Sequence, residues 1–176
     1  MNYALRTFKT VLGYSLTLVD KFTGIGFKGN SLSSTFNYLQ IGPNLATSGQ
    51  PTINQLNAIQ RGGYKKIINL AAKNALSNEV DIVTELGMDY INIPVDFSNP
   101  TEQDFEQFVT QMKGHSNQKI WVHCTANIGV SCFIFRYRTA ILDEKYESAG
   151  ADMNRIWRPN TIWENFINKP AIHPTT

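Results

Sequence analysis

The chain has 176 residues, of which 42% are hydrophobic and 11% aromatic, a make-up that fits one globular domain with its own core rather than a disordered chain. A formal net charge of +2, with no block of like charge, leaves no electrostatic footprint for nucleic acid. Two cysteines, three histidines and no Cys-x-x-Cys argue against a disulfide framework and against a metal site, and no cofactor is expected.

The first residues carry Arg6 and Lys9 ahead of a modest apolar run, Val11 to Val19. Asp20 and Lys21 close that run, no small-x-small cleavage site follows, and it is too short to span a bilayer. Leu5, Phe8, Leu12 and Val19 share one face of an amphipathic helix, with a degenerate export signal or a surface anchor as alternatives. Residues 23–34, rich in Gly and Ser, read as a linker. The expected division is therefore an extension over 1–34 and a domain over 35–176, with a cytoplasmic location favoured.

From Tyr38 strands and helices alternate. YLQI is a first strand, and LATSGQPT leads into a helix capped by Thr52, with Gln55 as its capping-box partner. Ile53, Leu56 and Ile59 face that helix inward, and Gly62-Gly63 stop it. Lys66 to Leu70 is a buried strand. A helix through Val80, Val83 and Leu86 follows and ends at Gly87; Tyr90 to Val95 is the next strand. Thr101 caps a helix striped by Phe105, Phe108, Val109 and Met112. Two helical segments close the chain, about 144–157 and 161–168. Such alternation implies an α/β fold, a mostly parallel sheet flanked by helices, with ligands at the carboxyl ends of the strands.

One stretch organises the rest, KIWVHCTANIGVSCFIFRYR from Lys119 to Arg138. Ile120 to Val122 suits a buried strand, and Val130, Phe133, Ile134, Tyr137 and Ile141 suit a helix. Between them lies a short loop opening with His123 and Cys124. A thiol at a helix N-terminus has its pKa lowered, and the unpartnered amides there also hold an anion, so nucleophile and phosphate pocket share one loop.

This stretch resembles the signature loop of the cysteine-dependent protein-tyrosine and dual-specificity phosphatases, which reads His-Cys, five residues, Arg, then Ser or Thr. His123, Cys124, Ala126 and Ser131 match, whereas Val130 holds the Arg slot and Asn127 stands where Gly is common. The chain is more similar to the bacterial β-lactamase-hydrolase-like phosphatase domain, whose loop reads roughly His-Cys-x-x-Asn-x-Arg-Val-Ser. Against that pattern His123, Cys124, Asn127, Val130 and Ser131 match and Gly129 replaces the Arg. NLATSGQPT, IINLA, TELGMDYINIPV and the 157–167 segment extend the likeness over about 38–168.

The resemblance implies a dual-specificity phosphatase-like fold and hydrolysis of phosphate monoesters through a cysteinyl-phosphate on Cys124. The phosphate-binding loop would be His123, Thr125, Ala126, Asn127, Ile128, Gly129, Val130 and Ser131, and the ligand a phosphorylated or other anionic molecule. The general acid of the resembling enzymes is an Asp upstream of the Cys; Asp96, directly after Val95, fits that place, or else caps the turn at Ser98-Asn99-Pro100. Asp104 is the runner-up, on the polar side of its helix. His123 helps keep the thiol ionised, and Ser131 either stabilises the thiolate or caps the helix. Cys132 is a core residue or a resolving thiol. The Ser48–Pro51 block borders the pocket, and Trp157 and Trp163 anchor the last helices.

The absent Arg sets the expectation for activity. Neither Gly129 nor Val130 offers a side-chain donor, and one preorganised donor is worth about 10²–10³ in rate. Arg136 lies about 10 Å farther along the helix axis and should not reach back; Lys73 is a candidate cationic neighbour. Weak phosphatase activity is expected, with an anion-binding pseudo-phosphatase or sulfur transfer through Cys124 as alternatives.

Overall fold

The computed structural model describes residues 29–72, 76, 78–113 and 117–169. The helix expected over the first twenty-two residues, the first half of the linker behind it (23–28), and Lys73 lie outside these. The described end of that linker packs on the domain: a 3-10 turn, Leu32–Ser34, sets Leu32 against the core, and Gln55 Nε2 donates to the Gly29 carbonyl at 3.3 Å.

Among the described residues five strands form one sheet: β1 (Leu39–Gly42), β2 (Leu45–Ser48), β3 (Tyr64–Ala71), β4 (Asp89–Val95) and β5 (Lys119–His123). Their order is β1-β2-β5-β3-β4, with β1 antiparallel to β2 and the other pairs parallel, the expected α/β class. Strand β2 was not foreseen, because LATSGQPT reads as running straight into a helix. Its four residues gain strand character from two partners, pairing Leu39 with Thr47 on one side and Ala46 with Trp121 on the other. The local signal that was there is Gly42-Pro43-Asn44, a turn between two short runs.

Among the described residues six helices cover both faces: α1 (Ile53–Arg61), α2 (Glu79–Glu85), α3 (Glu102–Met112), α4 (Ile128–Ala140), α5 (Tyr146–Ile156) and α6 (Thr161–Ile167). Successive strand residues point to opposite faces, so Ile67 and Trp121 join Leu56, Ile59 and Val83 under α1 and α2. Ile68 and Val122 join Phe105, Phe108, Phe133, Trp163 and Phe166 under α3, α4 and α6. Both capping expectations are met. Thr52 and Gln55 exchange bonds of 3.3 and 3.0 Å, and Thr101 does so with Asp104 at 3.1 and 2.9 Å. That bond explains Asp104, whose carboxylate closes the capping box of α3.

Two helix faces differ from expectation. In α2 the buried positions are Glu79 and Val83, while Val80 is 45% exposed, because Glu79 finds buried polar partners described below. Helix α4 is enclosed on all sides, with every residue from Gly129 to Arg138 buried rather than a single stripe. Its two arginines tie it to its neighbours. Arg136, fully buried, grips Glu102 through two bonds of 3.0 and 2.6 Å and lies 4.1 Å over the Phe105 ring. Arg138 bonds Glu144 at 3.0 Å and Asp152 at 2.7 Å.

Phe133 meets Phe105, Phe108, Trp163 and Phe166 at ring-centroid distances of 4.8–6.2 Å. Phe133→Ala should therefore cost about 3–5 kcal/mol in a denaturant-unfolding measurement. A loss under about 1 kcal/mol would mean that this face does not hold the domain together.

Candidate active site

Strand β5 is flanked on both sides by parallel partners, and its last residue pairs with Ser48 of β2 and Asn69 of β3. Cys124 leaves that row half-buried, its amide 3.4 Å from the Ser48 carbonyl. The segment after β2 then pins the loop. Gln50 N–H donates to the Thr125 carbonyl at 3.2 Å, and Gly49 bridges Ala126. A Cβ on Gly49 would stand 2.8 Å from the Phe36 ring and 3.0 Å from the Thr125 carbonyl, so the approach needs glycine. The Ser48–Pro51 block thus borders the Cys124 loop, as its sequence context implied.

Asn127 turns the chain into α4 in the left-handed conformation, φ 64° and ψ 5°, which Asn tolerates better than most residues. Its buried side chain faces inward instead of capping the helix: Nδ2 donates to the Asn37 carbonyl at 2.7 Å and to Thr47 Oγ1 at 2.9 Å. The first helical bond runs from Ser131 N–H to the Asn127 carbonyl at 3.0 Å. The amides of Ile128, Gly129 and Val130 precede it and have no acceptor within the helix. Ser131 is inside the first turn, so it is not the cap; its Oγ donates to the Ile128 carbonyl at 2.7 Å.

Gly129 and Val130, the two positions compared with the motif Arg, are both packed against neighbours. Val130 is fully buried in the core. Gly129 lies in the helix, and a Cβ there would come within 3.0 Å of Trp163 Cη2 and 3.3 Å of its Cζ2. The indole is held by Nε1, which donates to the Phe97 carbonyl at 3.1 Å, and by the Phe97 ring at 5.3 Å. Trp163, expected as a core anchor, therefore also links the signature loop to the segment carrying Asp96. The guanidinium groups of Arg136 and Arg138 are engaged with α3 and α5.

Asp96 follows β4 and is exposed; Oδ1 accepts from the Ser98 amide at 2.8 Å and from its hydroxyl at 2.7 Å. Those bonds hold the carboxyl below the usual carboxylate range, so it is ionised at neutral pH. The turn-capping alternative is thus realised in this conformation.

Behind the loop lies a polar network that sequence reasoning missed. His123 and Glu79 are fully buried, with Nε2 and Oε1 3.2 Å apart. Gln50 Nε2 donates to Glu79 Oε1 at 2.7 Å; Asn69 Nδ2 and the Tyr90 hydroxyl donate to Oε2 at 3.0 and 3.1 Å. Burial alone would push the Glu79 carboxyl up, but the charge of His123 and the donated hydrogen bonds carry it below its ordinary value. Burial and the nearby carboxylate together push the Tyr90 hydroxyl up. Among the described residues no group of His, Cys, Asp and Glu is placed to hold a metal ion, and no helix is long and apolar enough to cross a membrane.

The model of the family described as DSP-PTPase phosphatase fused to NAD+ kinase matches residues 39–161. Among solved structures, a putative phosphatase (DUF442) from Shewanella putrefaciens CN-32 is 30% identical, over 77% of this chain and 91% of that one, with a TM-score of 0.68. Two others share the fold at 15% identity. One is the core catalytic domain of the PP-IP phosphatase SIW14 from S. cerevisiae, in complex with citrate, at TM-score 0.67 over 77% of this chain and 86% of that one. The other is P. aeruginosa TpbA (C132S) in complex with pTyr, at 0.58 over 68% and 72%. No curated protein matches the chain.

Cys132 is enclosed in the core, where burial pushes its thiol up to about 12, whereas Cys124 stands half-open at the loop. Iodoacetamide at neutral pH should modify Cys124 first and reach Cys132 only after unfolding, as peptide mapping would reveal. Modification of Cys132 in the folded protein would contradict the packing of α4.

Proposed function

The chain belongs to the family of DSP-PTPase phosphatases fused to NAD+ kinase, and on that footing we propose that it is a slow cysteine-dependent phosphomonoesterase working at Cys124. The observation that carries this reading is a half-open Cys124 in the short loop between β5 and the first turn of α4, whose opening amides have no acceptor within the helix. In the proposed reaction the thiolate attacks phosphorus, an S–P bond forms, and the bond to the leaving oxygen breaks. Water then displaces phosphate from sulfur and restores the thiol. Thr125, Ala126, Asn127, Ile128, Gly129 and Val130 supply the amide cradle for the phosphoryl oxygens. His123 directly precedes Cys124, and Ser131 supports the loop through its bond to Ile128. Asp96 supplies the proton to the leaving oxygen once it releases Ser98 and takes one up. Its ionised resting state predicts activity that rises as pH falls below neutrality.

The slowness follows from Gly129 and Trp163. An Arg that stabilises a transferring phosphoryl is worth roughly 10³–10⁵, and here an indole covers that place. The same contact favours the second reading, a pseudo-phosphatase that binds an anion without turning it over. Substrates are phosphorylated or other anionic molecules; fold relatives in complex with pTyr and with citrate support that class.

Hydrolysis of p-nitrophenyl phosphate should vanish in Cys124→Ser, and activity that survives would move the site elsewhere. Asp96→Asn should slow poor leaving groups more than good ones. Gly129→Arg alone should lower the melting temperature, since its Cβ meets Trp163. With Trp163→Ala the fork has room, and turnover should exceed that of Trp163→Ala alone by up to about 10²–10³. A folded double variant that binds phosphate yet gains nothing would leave the pseudo-phosphatase.

A further inference from the structure

Among the described residues six large apolar side chains stand well exposed, and four of them belong to one end of the molecule. Ile53 opens α1 three residues after Gln50, whose amide bonds the Thr125 carbonyl. Val80 follows Glu79 in α2, and that carboxylate accepts from Gln50 and Asn69 beyond the ends of β2 and near the end of β3. Phe97 comes two residues after β4, and its carbonyl takes the Trp163 indole. Ile162 precedes Trp163, which lies against Gly129. All four, 44–48% exposed, thus stand on the edge where the parallel strands end and Cys124 opens. The other two, Leu142 and Tyr146, lie past the far end of α4, about 20 Å along its axis. A lone exposed apolar side chain is ordinary, whereas a set placed around one opening marks an interaction surface.

The chain enters the domain at the same edge. The Gly29 carbonyl accepts from Gln55 in the opening turn of α1, and Phe36 and Asn37 then bond Gly49 and Ala126 on the way to β1. Ahead of Gly29 the sequence carries Arg6, Lys9, Lys21 and Lys28 against one carboxylate, Asp20, and sets Leu5, Phe8, Leu12 and Val19 at helical spacing. A basic amphipathic stretch of this kind suits the interface of an anionic bilayer, its apolar side chains among the acyl chains and its cations among the headgroups. Exposed charges on the edge itself are mixed, Arg158 with Asp81 and Glu164, so attraction to anionic lipid falls to the first residues and insertion to the apolar rim. We propose that the edge around Cys124 is a membrane-docking surface for an anionic bilayer, and that the phosphomonoester it meets there is carried by a lipid. The second half rests on the phosphatase reading above; the first does not.

The test floats the full chain with vesicles of phosphatidylcholine and phosphatidylglycerol. Wild type should float, and Ile53→Ser/Val80→Ser/Ile162→Ser should bind at least about tenfold more weakly, since three apolar side chains no longer leave water. Leu142→Ser/Tyr146→Ser, altered at the far end, should bind as wild type does. Wild type that stays with the soluble fraction overturns the proposal, as does a triple variant that floats equally well. If a thermal melt finds the triple variant unfolded, Arg6→Gln/Lys9→Gln is read instead: about tenfold weaker binding supports the proposal, and wild-type binding overturns it. Vesicles should also shield Cys124 and slow its alkylation by iodoacetamide; an unchanged rate in vesicle-bound protein would turn this edge away from the lipid and overturn the orientation. Phosphatidic acid in the vesicles should release phosphate in wild type and not in Cys124→Ser. Turnover of p-nitrophenyl phosphate with none from phosphatidic acid overturns the lipid substrate. Turnover of neither ester retires the phosphatase reading and the lipid substrate with it, and flotation still decides the docking surface.

Discussion

Ser48, His123 and Asn69 stand side by side on three parallel strands, near their carboxyl ends, and the site depends on that register. Ser48 receives the Trp121 indole on its hydroxyl at 2.9 Å and the Cys124 amide on its carbonyl at 3.4 Å, which fixes where the thiol emerges. Asn69 donates to Glu79, and His123 between them faces the same carboxylate. A shift of one residue in any strand would send these side chains to the opposite face and dissolve the network. The register is held by apolar neighbours, Ile67, Ile68, Trp121 and Val122, all fully buried, so core packing and site geometry are set by the same pairing.

Above that row the signature loop is closed by a tertiary contact. The Trp163 indole lies against Gly129, bonds the Phe97 carbonyl and packs against Phe133 and Phe166. That contact joins α6, the β4–α3 segment and the start of α4. A Cβ at position 129 would press on the ring at 3.0 Å, so a larger residue there requires the indole to give way.

Much of this was legible from local pattern. The change from β-branched strand to helix around His123 and Cys124 spans a few residues, and the Thr52 and Thr101 caps are read within one turn. Cys132 as a core residue follows from its place in an apolar helix. Features set by residues distant in the chain were not legible. The helix reads through Val80, Val83 and Leu86 in the sequence, and nothing local marks Glu79 for burial; its place inside depends on His123, Gln50, Asn69 and Tyr90 converging from other elements. The departure of Gly129 from the motif was visible, but the Trp163 contact upon it was not, because Trp163 belongs to the last helix. Strand β2 escaped because four residues carry little periodicity and its partners lie on two sides.

The most direct measurement is a crystal structure of the protein with tungstate, a phosphate-shaped oxyanion. The predicted result is tungstate over Cys124 Sγ, held by the amides between Thr125 and Val130, with the Trp163 indole still covering Gly129. Tungstate bound only elsewhere on the molecule would contradict the loop as an anion cradle. An arginine entering the loop in place of a displaced Trp163 would contradict the claim that this site works without its guanidinium.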